Sequence, residues 1–190
     1  IANGSDVENI KHKIYVIGLP RTGTTSFCAA MLDLGFTVAH TAYTEKSMTD
    51  AQVIADTPIF CDYKKLHQQH PDAKFIYLTR SRELWIPSIK QLLQRMHKNV
   101  TRIDGGFNPI LKRCFQKIFS PLTIENIASD AFLENCYLRH EQEITSYFSG
   151  QPEKLLTIDV SDVDSYIALT DFLDLNVPVK TFERMNIGGK

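Results

Sequence analysis

The chain has 190 residues, 43% of them apolar and 23% charged, with a formal net charge of −1. That length supplies a core for one domain of ordinary size, and the composition is that of a soluble globular chain, not a disordered or fibrous one. No apolar run approaches the roughly 20 residues that a membrane-spanning helix needs, and the near-zero charge speaks against nucleic acid or a membrane surface as partner.

Ile1 to Lys13 is polar and mixed in charge, unlike a secretory signal. Cys28, Cys61, Cys114 and Cys136 lie far apart without CxxC spacing, which argues against a zinc site or a disulfide scaffold and suits a reducing cytosol. One domain over residues 1–190 is expected, with 1–12 as a flexible N-terminal segment, in the cytoplasm. The average charge hides an asymmetry: Lys74 to Leu122 holds 10 Lys/Arg against 2 Asp/Glu, a net of +8, while Thr123 to Asp174 holds 2 against 11, a net of −9. A basic stretch of this kind marks a solvated face or the seat of an anionic ligand.

Lys13 to Ile17 (KIYVI) reads as a buried strand ending at Gly18. Thr24 to Leu34 follows as a helix, with Phe27, Met31 and Leu34 at helical spacing and Gly35 as its stop. Phe36 to Ala39 reads as a second strand, and Asp72 to Leu78 contains a third. Trp85, Ile89, Leu92, Leu93 and Met96 then mark one face of a helix with Pro87 in its first turn. Ile124 to Phe148 reads as one or two amphipathic helices, Lys154 to Ile158 as a fourth strand, and Ser161 as the cap of a helix reaching about Leu173. Strands alternating with helices predict the α/β class, a P-loop-like parallel sheet with helices on both faces.

Two stretches carry chemistry. Gly18-Leu-Pro-Arg21-Thr22-Gly23-Thr24-Thr25 lies between a strand and a helix, where backbone N–H groups and a helix N-terminus form an anion site. Its spacing is that of the nucleotide P-loop, GxxxxGK[ST], with Thr24 in place of the lysine that clamps the β- and γ-phosphates. With Arg21 and two hydroxyls at the helix start, the loop suits one terminal phosphate bearing a further group better than a triphosphate with magnesium. The plain alternative is a Gly/Thr-rich turn that caps a helix. The second stretch, Lys74 to Arg80, ends a strand with an arginine at the edge where open α/β sheets bind ligands, and Ser88 follows eight residues later on a helix. Alone, these two are equally a solvated strand-end charge and an ordinary helix serine.

Together, GLPRTGTTSF and FIYLTRSRELWIPS resemble the P-loop sulfotransferases that use 3′-phosphoadenosine 5′-phosphosulfate (PAPS). The likeness continues through Asp56-Thr-Pro58, His70 to Lys74, Leu155 to Asp159 and Phe172 to Pro178, and is greatest to the small bacterial-type branch. It implies that Arg21, Thr22, Gly23, Thr24 and Thr25 hold the 5′-phosphosulfate, and that Arg80 and Ser88 hold the 3′-phosphate. It further implies sulfuryl transfer to a hydroxyl or amine of a small-molecule acceptor, with Arg21 neutralising the departing group and no metal required. Three features depart from the better-known cytosolic enzymes: Arg21 stands for their lysine, Ser26 for an aromatic residue beside the adenine, and their closing Arg-Lys-Gly loop is not plainly present, with Arg184, Asn186 and Gly188-Gly189-Lys190 the only candidates for it.

Those enzymes carry a histidine base some twenty residues before the 3′-phosphate arginine, and this chain has Ala55-Asp56-Thr57-Pro58 there. Asp56 is the first candidate for the base and His40, at the end of the second strand, the alternative. Asp56 also reads as a loop cap and His40 as a strand-end residue bonded to backbone. His12, His67, His70, His97 and His140 read as surface residues and Trp85 as core. Acceptor contacts are expected from Ala42–Val53 and Asn99–Thr123, with Tyr43 and Phe107 as candidates. Two other functions fit the same motifs: a sulfotransferase-like module that binds nucleotide without catalysis, and a P-loop small-molecule kinase, which the missing lysine disfavours.

Overall fold

The computed structural model describes residues 4–183. In chain order the elements are α1 (Gly4–Glu8), β1 (Ile14–Val16), α2 (Thr24–Leu34), β2 (Val38–Ala39), α3 (Glu45–Asp50), β3 (Val53–Ala55), α4 (Ile59–Gln69), β4 (Lys74–Leu78), α5 (Arg82–Thr101), α6 (Pro109–Ile118), α7 (Ile124–Ile127), α8 (Asp130–Phe148), β5 (Leu155–Ile158) and α9 (Ser165–Phe172). A 3₁₀ turn, Pro152–Lys154, leads into β5. Among the described residues no helix is long and apolar enough to cross a membrane. The elements gather into two compact units: the described residues up to Thr79 with those from Pro152 on, and Arg80–Gln151.

The first unit is built on a five-stranded sheet, all parallel, in the order β2-β3-β1-β4-β5. Pleating sends alternate residues to opposite faces. Ile14, Val16, Val53, Ala55, Ile76, Leu78 and Ile158 join Phe27 and Met31 of α2 and Tyr166 and Leu169 of α9 in one core. Tyr15 and Phe75 lie in the alternate register, their rings 5.6 Å apart, and His67 of α4 meets Phe75 edge-on at 5.3 Å. Helices therefore cover both faces, the α/β arrangement that the alternating pattern predicts.

β1 and β4 are neighbours whose outgoing connections run in opposite directions, β1 toward β2 and β4 toward β5. Such a reversal opens a crevice at the C-terminal ends of the two strands, the usual ligand position in open α/β sheets.

Several boundaries differ from expectation. β3 is a strand of three residues, too short for periodicity to show, in a region without a predicted element. α9 starts at Ser165 with Asp164 before it, while Ser161 turns back to donate its hydroxyl to Asp159 Oδ1 at 2.7 Å. The N-terminal segment contains α1, whose Val7 is packed in the core. The two stretches expected to be acceptor loops contain α3 and α6.

In the second unit the helix α5 packs on α6, α7 and α8. Trp85 is fully buried, stacked on Phe119 with centroids 6.5 Å apart and edge-on to Tyr137 at 4.9 Å. α5 begins at Arg82, so Pro87 sits in its second turn, where it lacks the N–H that would bond the Glu83 carbonyl. His140 is buried in α8 at 3% exposure, not at the surface, because it lies on that helix's inward stripe with Leu133, Tyr137 and Ile144. The charge asymmetry is partly consumed here: Arg82 Nε donates to Glu134 Oε1 at 2.9 Å, and Lys90 pairs with Asp130.

Candidate active site

The loop after β1 is fixed by steric limits at two glycines. Gly23 has φ +96, and a Cβ there would come within 2.5 Å of Val160 Cγ2. A Cβ on Gly18 would meet Leu78 Cβ at 2.8 Å and the Leu78 carbonyl oxygen at 3.0 Å, so the loop runs directly over the end of β4. Thr22 Oγ1 donates to the Leu19 carbonyl at 2.7 Å. Its hydroxyl proton is thereby used to hold the loop.

The mouth of α2 is arranged for an acceptor from outside. Gly23 precedes the helix without a side-chain cap, and Phe27 N–H is the donor that reaches back to the Gly23 carbonyl, at 3.0 Å. The amides of Thr24 and Thr25 therefore lie ahead of the helical ladder. Thr24 is 6% exposed and its Oγ1 has no hydrogen-bond partner among the described residues. Leaving a buried hydroxyl unsatisfied costs about 1–3 kcal/mol, and an anion oxygen at the helix start removes that cost. Arg21, half-buried, holds φ 71 in the same loop.

The next two strands deliver the base candidates to the same sheet edge. β2 and β3 pair Ala39 with Ile54, so the residues leaving them, His40 and Asp56, emerge side by side. His40 Nε2 lies 3.3 Å from Asp56 Oδ2. Asp56 Oδ1 accepts from Thr57 Oγ1 at 3.3 Å, and Ala42 N–H donates to the Thr57 carbonyl at 3.0 Å, tying the two strand exits together. Burial and, after it, the negative charge of Asp56 push the Cys28 thiol up to about 12. Cys28 is in the second turn of α2, so Asp56 stands within electrostatic reach of the helix that the loop opens.

Arg80 and Ser88 belong to the second unit. The Arg80 N–H donates to Tyr137 Oη at 3.2 Å, and Ser88 is half-buried in the second turn of α5. Arg184, Asn186 and Gly188-Gly189-Lys190 lie outside the described residues. Tyr43 and Phe107 are half-buried.

An open depression of about 490 Å³ lies where β5 leads into α9, lined by Asp159, Asp162 and Asp164. Three carboxylates oppose an anionic ligand there. Among the described residues no group of three or more His, Cys, Asp or Glu is placed to hold a metal ion.

Sequence reasoning named His40 and Asp56 as rivals, and the structure makes them partners. It missed Val160, which backs Gly23, and Thr57, which holds Asp56. The available signal for the pairing was the β-branched Val53-Ile54 ahead of Asp56, a third parallel strand end beside those of β1 and β2.

The chain matches the sulfotransferase domain family over residues 13–50 and 41–190. No curated protein matches it.

Proposed function

The chain belongs to the sulfotransferase domain family, a family of transferases, and from that premise we propose that PAPS is its donor and the hydroxyl or amine of a small molecule its acceptor. The observation that carries this reading is the buried Thr24 hydroxyl at the mouth of α2, without a partner among the described residues. A hydroxyl where a P-loop kinase has lysine suits an anion that needs hydrogen bonds more than a triphosphate that needs charge. The residues fit the donor in two further ways. Gly18 and Gly23 let the loop pack against Leu78 and Val160 where a Cβ would clash, which fixes its course, and the amides of Thr24 and Thr25 are placed ahead of the helix ladder.

When bound, PAPS supplies an activated sulfuryl group whose departing phosphate gathers negative charge. Gly23, Thr24 and Thr25 hold the 5′ end through amides and hydroxyls, and Thr22 fixes the loop through Leu19. Arg21 neutralises the departing charge, and Arg80 with Ser88 holds the 3′-phosphate. The proposal extends to a cytoplasmic protein acting on a small molecule, not on nucleic acid or a membrane. The net charge of −1 and four buried cysteines without metal or disulfide spacing support that extension.

Thermal unfolding with 3′-phosphoadenosine 5′-phosphate tests the donor. The nucleotide is expected to raise the melting temperature, and Arg80→Ala to abolish the rise. Thr24→Val is expected to weaken nucleotide binding about tenfold, the worth of one hydrogen bond to a charged group, while the unliganded protein keeps or gains stability. A wild-type protein that shows no shift with this nucleotide is not a PAPS-dependent enzyme.

A further inference from the structure

We propose that His40 and Asp56 act as one unit in which His40 Nδ1 takes the acceptor's proton and Asp56 holds the imidazole that does so. The inference rests on the reading of the protein as a PAPS-dependent sulfotransferase and adds to it the group that activates the acceptor.

The division of labour follows from which atoms are engaged. His40 Nε2 lies 3.3 Å from Asp56 Oδ2. An ionised carboxylate only accepts, so the imidazole proton belongs on Nε2, and Nδ1 carries the lone pair. Both Asp56 oxygens are engaged, Oδ2 by His40 and Oδ1 by Thr57 Oγ1 at 3.3 Å. The His40 side chain is 37% exposed and that of Asp56 22%, so the imidazole is the more accessible member of the pair to a small molecule.

The backbone is committed to this arrangement. Thr41 has φ 131 and Asp56 φ 65, both in the region that disfavours side chains, and the 3.0 Å bond from Ala42 N–H to the Thr57 carbonyl joins the two turns. Such conformations persist where the surroundings over-determine them, and they gather at sites of function. The chain exits of β1, β2 and β3 share one sheet edge, which brings the pair to the side of the sheet that carries Gly18–Thr25.

In the transfer step, His40 Nδ1 accepts the proton of the acceptor's O–H or N–H as that heteroatom bonds to sulfur. The electron pair of the breaking sulfur–oxygen bond leaves with the phosphate oxygen. Asp56 then faces an imidazolium, which returns its proton to water. His40 is the catalytic residue of the pair and Asp56 a positioning residue.

The test is nitrogen-15 NMR of the full chain labelled at histidine, combined with nucleotide binding and turnover. At mildly alkaline pH the signal that disappears in His40→Gln is expected to be the Nε2–H tautomer. Asp56→Ala is expected to lose that bias and Asp56→Glu to restore part of it. His40→Gln should bind 3′-phosphoadenosine 5′-phosphate within about twofold of wild type, which also reports that it folds. With sulfur-35 PAPS and a panel of phenols, alcohols and amines, His40→Gln should lower kcat about 100-fold or more at nearly unchanged KM for PAPS, and Asp56→Ala about 10-fold or more.

An Nδ1–H tautomer in wild type, or a His40→Gln variant that retains turnover, overturns the inference while nucleotide binding stands. A wild-type protein that binds no nucleotide overturns the donor reading and this inference with it. If nucleotide binds and no acceptor in the panel is sulfated, the tautomer and its response to Asp56→Ala decide the matter.

Discussion

Three of the four non-glycine residues with positive φ among the described residues are Arg21, Thr41 and Asp56, each in the segment that leaves β1, β2 or β3. In Arg80–Gln151 none of the described non-glycine residues adopts positive φ. Each such residue costs about 1–2 kcal/mol relative to right-handed backbone. The sheet unit thus concentrates its strain along one strand edge. The helical unit relaxes its backbone into long helices around Trp85 and places opposite charges on α5 and α8. The fourth positive-φ residue, Asp174, follows α9 in the same unit as the strands, so most but not all of this strain gathers where the strands end, as strain does at sites of function.

The contrast can be broken from either side. Trp85→Ala removes the largest fully buried side chain of the helical unit, and chemical denaturation should report a loss of about 3–5 kcal/mol. A loss below about 1 kcal/mol would falsify the view that aromatic packing holds this unit. Gly23→Ala places a Cβ 2.5 Å from Val160 Cγ2 at φ +96. It should cost about 2–4 kcal/mol from left-handed strain plus overpacking, and should remove the thermal response to 3′-phosphoadenosine 5′-phosphate.

Alkaline titration probes the interior of the sheet unit. Burial pushes both the Cys28 thiol and the Tyr15 phenol up to about 12. In the unfolded chain they lose their protons near their ordinary values of 9.0 and 10.0, and in the folded chain they keep them. The folded state therefore binds more protons above about pH 9, and stability that is complete below that pH falls as pH rises toward 12. Cys28 alone accounts for about 2–3 kcal/mol by pH 11, and Cys28→Ala should flatten the slope measured by thermal unfolding. The smallest effect belongs to the helical unit's surface: a double-mutant cycle on Arg82 and Glu134, each side chain 43% exposed, should give about 0.2–1 kcal/mol.

Legibility followed the same divide. α2 was readable to its ends, because Gly23 and Gly35 bracket a regular apolar spacing, and β1, β4 and β5 stood out as β-branched or aromatic runs. Between His40 and Gln69, β3 and α3 were opaque because they have three and six residues, too few for a period to register, whereas the eleven-residue α4 went unread although Ile59, Phe60, Tyr63 and Leu66 repeat at helical spacing. The loop motif and the base candidates were legible by residue type. Their relation was not. Nothing in the letters His40 and Asp56 states a distance, and positive φ at Arg21 and Asp56 is written in tertiary contacts. The basic stretch was misleading in part, because its partners for Arg82 and Lys90 come from the acidic stretch that follows it.

The order of strands also bears on how the chain is made. β5 pairs with β4 alone and stands at the edge of the sheet, and all of Arg80–Gln151 intervenes between them. On a ribosome the other four strands emerge first, and β4, with Phe75, Ile76, Tyr77 and Leu78, then presents an unpaired, apolar edge of the kind that recruits foreign strands. Its exposure ends only when Leu155–Ile158 arrives and closes a long loop. Slow folding of the helical unit would prolong that exposure, so a mutation such as Trp85→Ala within that unit should lower soluble yield by leaving β4 open to aggregation.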